Sequence, residues 1–104
     1  MGKEETAYLT AGKKIKGSEE SQMFGKPCFK IKGKAFMCFF ENETVFKLGG
    51  SDHEAAMKLK GAHLFDPSGK GRAMKEWVQV AAVHSKQWEK SAEAAMKYVK
   101  AQTK

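Results

Sequence analysis

The stretch MFGKPCFKIKGKAFMCFFENETVFKL, residues 23–48, decides the fold of this 104-residue chain. It holds six of the seven phenylalanines and both cysteines. Apolar and polar residues alternate through much of it, and turn-forming residues interrupt it at two places, as in strands joined by tight turns. The sequence therefore predicts a meander of three short strands.

The alternation assigns the side chains of this meander to two faces of a sheet. In the first strand, Phe29 and Ile31 point one way and Cys28 and Lys30 the other. Residues 35–40, AFMCFF, are apolar at every position, which is typical of a central strand covered on both faces.

The length of the first turn decides where the cysteines lie. A three-residue turn, residues 32–34, places Cys28 opposite Cys38, whereas a two-residue turn, residues 32–33, places Cys28 opposite Met37. Directly opposed cysteines are a possible redox pair, and the other interpretation is two reduced, half-buried thiols.

The second turn is predicted at residues 42–43. This turn pairs Phe39 with Phe46 and Phe40 with Val45. The returning strand, residues 44–48, alternates as well, with Phe46 and Leu48 on one face and Val45 and Lys47 on the other.

Helices are predicted before and after the meander in the sequence. The first covers residues 3–16, with a buried stripe of Tyr8, Ala11, Gly12 and Ile15, and residues 18–21 follow as a polar connector. Ser51 and Glu54 form a capping box that starts a second helix ending near residue 60. A strand is predicted at residues 76–80, with Trp77 and Gln79 on one face and Val78 and Val80 on the other. The last helix, residues 85–101, buries Trp88, Ala92, Ala95, Met96 and Val99.

These elements predict one α+β domain over residues 1–104, an antiparallel sheet with helices packed on it in the order α-β-β-β-α-β-β-α. Its segments are a helix and connector at 1–20, the meander at 23–48, a helix at 51–61, a loop and strands at 62–83, and the C-terminal helix at 84–102. No apolar run approaches the length of a membrane span and no secretory signal is visible, so we expect a cytoplasmic protein without membrane contact.

The chain is basic, with 19 lysines and arginines against 12 acidic residues and a net charge of +7. Such a charge favours DNA or another anionic partner, although a solvated surface gives the same count. Lysines interleave with phenylalanines around the first hairpin, and basic side chains beside aromatic rings can follow a phosphate backbone and stack on bases. The candidate anion-binding residues are Lys26, Lys30, Lys32, Lys34, Lys70, Arg72 and Lys75.

Residues 69–72, GKGR, lack the spacing of a nucleotide-hydrolysing loop but could hold a single phosphate. His53, His63 and His84 lack metal-ligand spacing, and no nucleophile has a neighbouring base. We therefore expect no enzyme, no cofactor and no metal.

Four segments carry a resemblance to a known family: MFGKPCFKIKGKAFMCFF (23–40), VFKL (45–48), LFDPSGKG (64–71) and MKEWVQV (74–80). They resemble the TfoX N-terminal domain and the related YjbR-like (MmcQ/YjbR) proteins, over residues 21–99. The resemblance implies an α/β fold similar to that of type III secretion chaperones, and a bacterial, cytoplasmic protein. It also implies a role in DNA binding or in transcription and competence regulation, without catalytic residues.

The expected function is therefore nucleic-acid binding or transcription regulation through a basic surface. The alternative is a protein-interaction module or homodimer that uses an apolar face of the sheet and has no nucleic-acid role. Exposure of Phe36 and Phe40 distinguishes the two, because base stacking needs an open ring.

Overall fold

The fold is taken from a computed structural model, which describes residues 3–23, 26–40, 42–66 and 74–102, without the side chains of Met23, Met74 and Gln102. The elements are α1 Lys3–Lys13, β1 Glu19–Met23, β2 Lys26–Ile31, β3 Lys34–Phe40, β4 Glu43–Lys47, α2 Gly50–Met57, β5 His63–Phe65, β6 Met74–Val80, a 3₁₀ helix Ala82–Gln87 and α3 Trp88–Gln102.

The six strands form one antiparallel sheet in the order β1-β2-β3-β4-β6-β5. Strand β3, the apolar AFMCFF segment, lies in the interior of the sheet, as predicted. The α+β class and the antiparallel sheet are confirmed. None of the described helices is long and apolar enough to span a membrane.

The three helices pack on one side of the sheet, which we call the helix face. Helix α3 lies across β2, β3 and β4, and α1 and α2 flank it. The predicted stripe of α3 is confirmed at Trp88, Ala92, Ala95 and Val99, which are fully buried in one core with Phe29, Phe36, Phe46 and Val78 of the sheet. Met96, the fifth predicted member, is only partly buried against this core. Burial of this apolar surface is the main stabilising contribution of the fold.

The other side of the sheet, which we call the opposite face, carries a smaller apolar cluster. Its buried members are Cys28, Cys38, Val45, Phe65 and Trp77, with Ala35 and Phe40 partly buried beside them. The predicted alternation of β2, β4 and β6 is therefore confirmed.

Residues 18–21 were predicted as a connector, and this prediction is wrong. Strand β1 begins at Glu19 and pairs along β2, with Ser21 opposite Cys28. It is an edge strand with mostly exposed polar side chains, so the apolar alternation that reveals an inner strand is absent. Helix α1 also ends early, because the backbone N–H of Ile15 and Oγ of Ser18 both donate to the Gly12 carbonyl at 3.1 and 2.9 Å.

The second turn lies one residue earlier than predicted. Phe40 pairs with Glu43 and Phe39 with Thr44, so the predicted pairs of Phe39 with Phe46 and of Phe40 with Val45 are wrong. Asn42 has a φ of 64°. Tight hairpin turns need this left-handed conformation, which asparagine tolerates better than glutamate.

The predicted capping box is also wrong. Gly49 is the N-cap of α2 and no side chain caps the helix. Gly49 lies so close to the ring of Tyr98 that a Cβ would overlap it. The chain enters the helix at Gly50, one residue before Ser51, and the helix ends at Met57. The predicted C-terminal helix begins as the 3₁₀ helix and becomes α-helical at Trp88.

Candidate nucleic-acid interface

The β2–β3 hairpin, which carries most of the predicted anion-binding lysines, closes with a two-residue turn. Ile31 pairs with Lys34, and the two residues between them, Lys32 and Gly33, have φ values of 51° and 80°. Two successive positive φ values define a type I′ turn, whose twist matches that of the strands.

A bulge in β3 then changes the register. Lys30 pairs with Ala35, but Phe29 pairs with Met37, so Phe36 is an extra residue in β3. Phe36 and Met37 therefore both point into the core of the helix face, where each is fully buried. Because the shift is one residue, Cys28 lies opposite Cys38 despite the two-residue turn. The predicted choice between two turn lengths was thus incomplete.

Lysines gather at the end of the sheet where this hairpin turns. Lys32 and Lys34 are exposed at the tip, and Lys30 is half-buried beside them on β2. Lys47, at the end of β4, is also half-buried. It lies on the opposite face, as does Lys30, since it alternates with residues that are buried on the helix face.

Strand β6 brings a fifth lysine to this end. Phe46 pairs with Met37 on one side and with Val78 on the other. Lys34 lies three residues from Met37 and Lys75 three residues from Val78, so their backbones are about level and two strand spacings, roughly 10 Å, apart. Lys34 is on the helix face, because it pairs with Ile31, and Lys75 is on the opposite face, because it alternates with Trp77. We call Lys30, Lys32, Lys34, Lys47 and Lys75 the basic end.

Not all predicted site residues meet there. Lys26 lies at the far end of β2, roughly 20 Å away along the strand, with its ammonium 5.8 Å from the centroid of the Phe40 ring. Lys70 and Arg72, and with them the GKGR hypothesis, lie outside the described residues. Lys47 was missed as a site residue, although its alternation with Phe46 and Leu48 in the sequence placed it on the face of Lys30.

The charges of the basic end are mostly uncompensated. None of its five lysines forms an ion pair with another described residue. Glu19 lies opposite Lys30 across β1 and β2 and offsets part of its charge. Elsewhere, Lys14 pairs with Glu89 at 2.6 Å on the helix side of the molecule.

The aromatic rings of the hairpin do not form a stacking platform. Phe36 is fully buried under the helices, and Phe29 is 1% exposed. Phe40 is half-buried, packed edge-on against Phe65 with their ring centroids 5.1 Å apart. Phe24 lies outside the described residues. The hairpin therefore offers cations rather than open rings to a ligand.

An exposed apolar sheet face is likewise absent from the described residues. The cluster on the opposite face is buried, with Trp77 the most exposed of its buried members at 7%. The exposed large apolar residue of the described chain is Val83, in the 3₁₀ helix rather than in the sheet. The predicted alternative, association through an apolar sheet face, has no surface of this kind there.

The thiols of the opposite face are reduced and 1% exposed. Burial raises the pKa of Cys28, while Lys30 and a hydrogen bond with Ser21 lower it in part. Burial and the neighbouring Cys28 raise the pKa of Cys38 to about 12. Both thiols are therefore protonated and weakly nucleophilic at neutral pH.

Two of the three histidines, His53 and His84, link separate segments of the chain. Nε2 of His53 bonds to the Lys75 carbonyl at 2.8 Å, and Nε2 of His84 to the Lys60 carbonyl at 2.9 Å. His63 bonds locally to the Leu64 carbonyl through Nδ1. No group of three or more metal-ligating side chains occurs in the described part of the chain.

Comparison with known proteins found no matching family model, no matching curated protein and no matching solved structure. The resemblance to the TfoX N-terminal domain and YjbR-like proteins stays a prediction.

Proposed function

We propose that this protein binds nucleic acid by contacting phosphates with the basic end of its sheet. The observation that carries the proposal is the convergence of five lysines from β2, β3, β4, β6 and the hairpin turn, without ion pairs to other described residues. A cluster of this kind attracts a polyanion over the Debye length and releases its counterions on contact.

The arrangement also bears on the form of the ligand. Binding to single strands typically combines basic grooves with open aromatic rings, whereas in the described hairpin Phe29 and Phe36 are buried and Phe40 is half-buried against Phe65. We therefore propose phosphate-dominated, sequence-tolerant binding, with duplex bound at least as tightly as a single strand of equal length. The family resemblance supports a wider role in transcription or competence regulation, in the cytoplasm and without catalysis.

The test is titration of labelled duplex and single-stranded DNA at about 50 and 200 mM salt. If three or four phosphates are neutralised, affinity for duplex falls roughly 40- to 150-fold between these concentrations. Lys34→Glu and Lys75→Glu should each weaken binding and flatten the salt dependence. Lys90→Glu, an exposed site on α3, is the matched control for net charge.

Equal losses in all three variants would mean that only net charge matters and would overturn the basic end as the site. Weak binding with no salt dependence would overturn nucleic-acid binding itself. The remaining candidate would then be a protein partner or a second copy of the chain.

A further inference from the structure

Cys28 and Cys38 face each other across the β2–β3 hairpin. They are directly paired in the register, both belong to the cluster on the opposite face, and both are free thiols. This juxtaposition depends on the bulge at Phe36, since without it Cys28 would lie opposite Met37.

The hydrogen-bond pattern brings the pair closer still. Phe40 and Glu43 flank a two-residue turn, so they form a hydrogen-bonded pair, and Cys38 and Val45, two positions along, form the next. The backbone groups of Cys38 thus point toward β4, which makes its pairing with Cys28 the non-hydrogen-bonded type. Such pairs have Cα atoms about 4.5 Å apart and the closest side chains, within the range that a disulfide spans.

We propose that Cys28 and Cys38 form a reversible intramolecular disulfide when the protein meets a low-molecular-weight disulfide. The thiolate of Cys28 attacks one sulfur of the reagent, whose S–S bond breaks, and the first small thiolate leaves and takes up a proton. The thiolate of Cys38 then attacks Sγ of Cys28 and releases the second small thiol. Both protein sulfurs are oxidised, and the reagent is reduced to two thiols.

Cys28 is the sulfur that reacts first. Strand β2 has only β1 between it and the sheet edge, and Lys30, two residues on, favours the Cys28 thiolate. Since both thiols are buried, attack waits for local opening, which makes the reaction slow at neutral pH and faster at alkaline pH. The bridge fastens the hairpin that carries Lys30, Lys32 and Lys34, but its formation does not depend on nucleic-acid binding.

The experiment equilibrates the folded full chain with mixtures of oxidised and reduced glutathione, followed by denaturation in N-ethylmaleimide and intact-mass measurement. The expected product is lighter than the reduced chain by two hydrogen atoms and takes up no maleimide. At the same glutathione ratio, the bridged fraction relative to the reduced one should be at least roughly tenfold higher for the folded chain than for the chain in denaturant.

Two maleimide adducts, glutathione adducts alone, intermolecular dimers alone, or a folded chain that bridges no better than the denatured one would each overturn the proposal. A matched control moves the thiol by one residue, combining Cys38→Ser with Met37→Cys. That thiol faces the helix side, so the folded control should not bridge. If circular dichroism shows that it does not fold, the comparison of folded and denatured wild-type chain still decides.

Discussion

Gly12 of helix α1 lies against the ring of Phe29 on strand β2 with no room between them for a methyl group. A Cβ at position 12 would overlap three atoms of that ring. Both residues are buried, so the ring cannot swing into solvent. Glycine in a helix is less favourable than alanine by about 1 kcal/mol. Here the absence of a side chain at position 12 lets the helix approach the sheet closely.

We expect Gly12→Ala to destabilise the protein, by about 1–3 kcal/mol, because overpacking outweighs the gain in helix propensity. Urea unfolding at equilibrium measures the change. Thr10→Ala, at an exposed site of the same helix, is the control and should change the free energy of unfolding by no more than about 0.5 kcal/mol. An alanine variant at position 12 as stable as wild type would contradict this packing.

Lys32→Asn should affect stability and binding in opposite directions. Lys32 has a φ of 51° at the first central position of the type I′ turn, where asparagine before glycine is preferred. We expect a gain of a few tenths of a kcal/mol in unfolding free energy. Nucleic-acid affinity should fall with the lost charge. Lys32→Val, which is strained at positive φ, should lower both, and a loss of stability in Lys32→Asn would argue against this turn type.

Gln79 provides a test of a buried polar contact. Its side chain is 4% exposed and its Nε2 donates to Oε1 of Glu43 at 2.6 Å across β4 and β6. Glu43→Ala should cost about 1–3 kcal/mol, because the buried amide loses its partner. Adding Gln79→Leu should restore much of that loss. Strictly additive effects in a double-mutant cycle would show that the two side chains are not coupled.

Stability should decline at alkaline pH. Burial raises the pKa of Cys38 to about 12 and also raises the pKa of Cys28 and Tyr8. Since these pKa values lie above those of the unfolded chain, their stabilisation is complete below about pH 8.5 and is lost as the pH rises toward 12.

Urea unfolding in reductant measures this decline. Over the pH range in which the Cys38 thiol is ionised in the unfolded chain but not in the folded one, the free energy of unfolding falls as the pH rises. In Cys38→Ala this fall should be shallower by about 1.4 kcal/mol per pH unit. The same slope in wild type and variant would show that the Cys38 thiol is not the titrating group.

The sequence alone determined the elements whose apolar residues repeat with a clear period. The α3 stripe and the two-face alternation of β2, β4 and β6 were predictable because burial against one core imposes that period on the side chains. The edge strand β1 carries no such signal, since its side chains are mostly exposed and polar. It contributes only backbone hydrogen bonds to β2. The lysines of the hairpin were identifiable as candidates, but not their distances from Lys47 and Lys75, because these depend on the order of the strands.

Tertiary structure decided the register. From the sequence, a two-residue turn predicts Cys28 opposite Met37. The bulge at Phe36 shifts the register by one residue, so the structure has both a two-residue turn and Cys28 opposite Cys38. The bulge places two successive large residues, Phe36 and Met37, in the helix-face core. The free energy gained by burying both side chains offsets the cost of interrupting the hydrogen-bond ladder. That gain exists only when α1 and α3 are packed on the sheet. Strand periodicity alone therefore could not show which residue of β3 lies opposite Cys28.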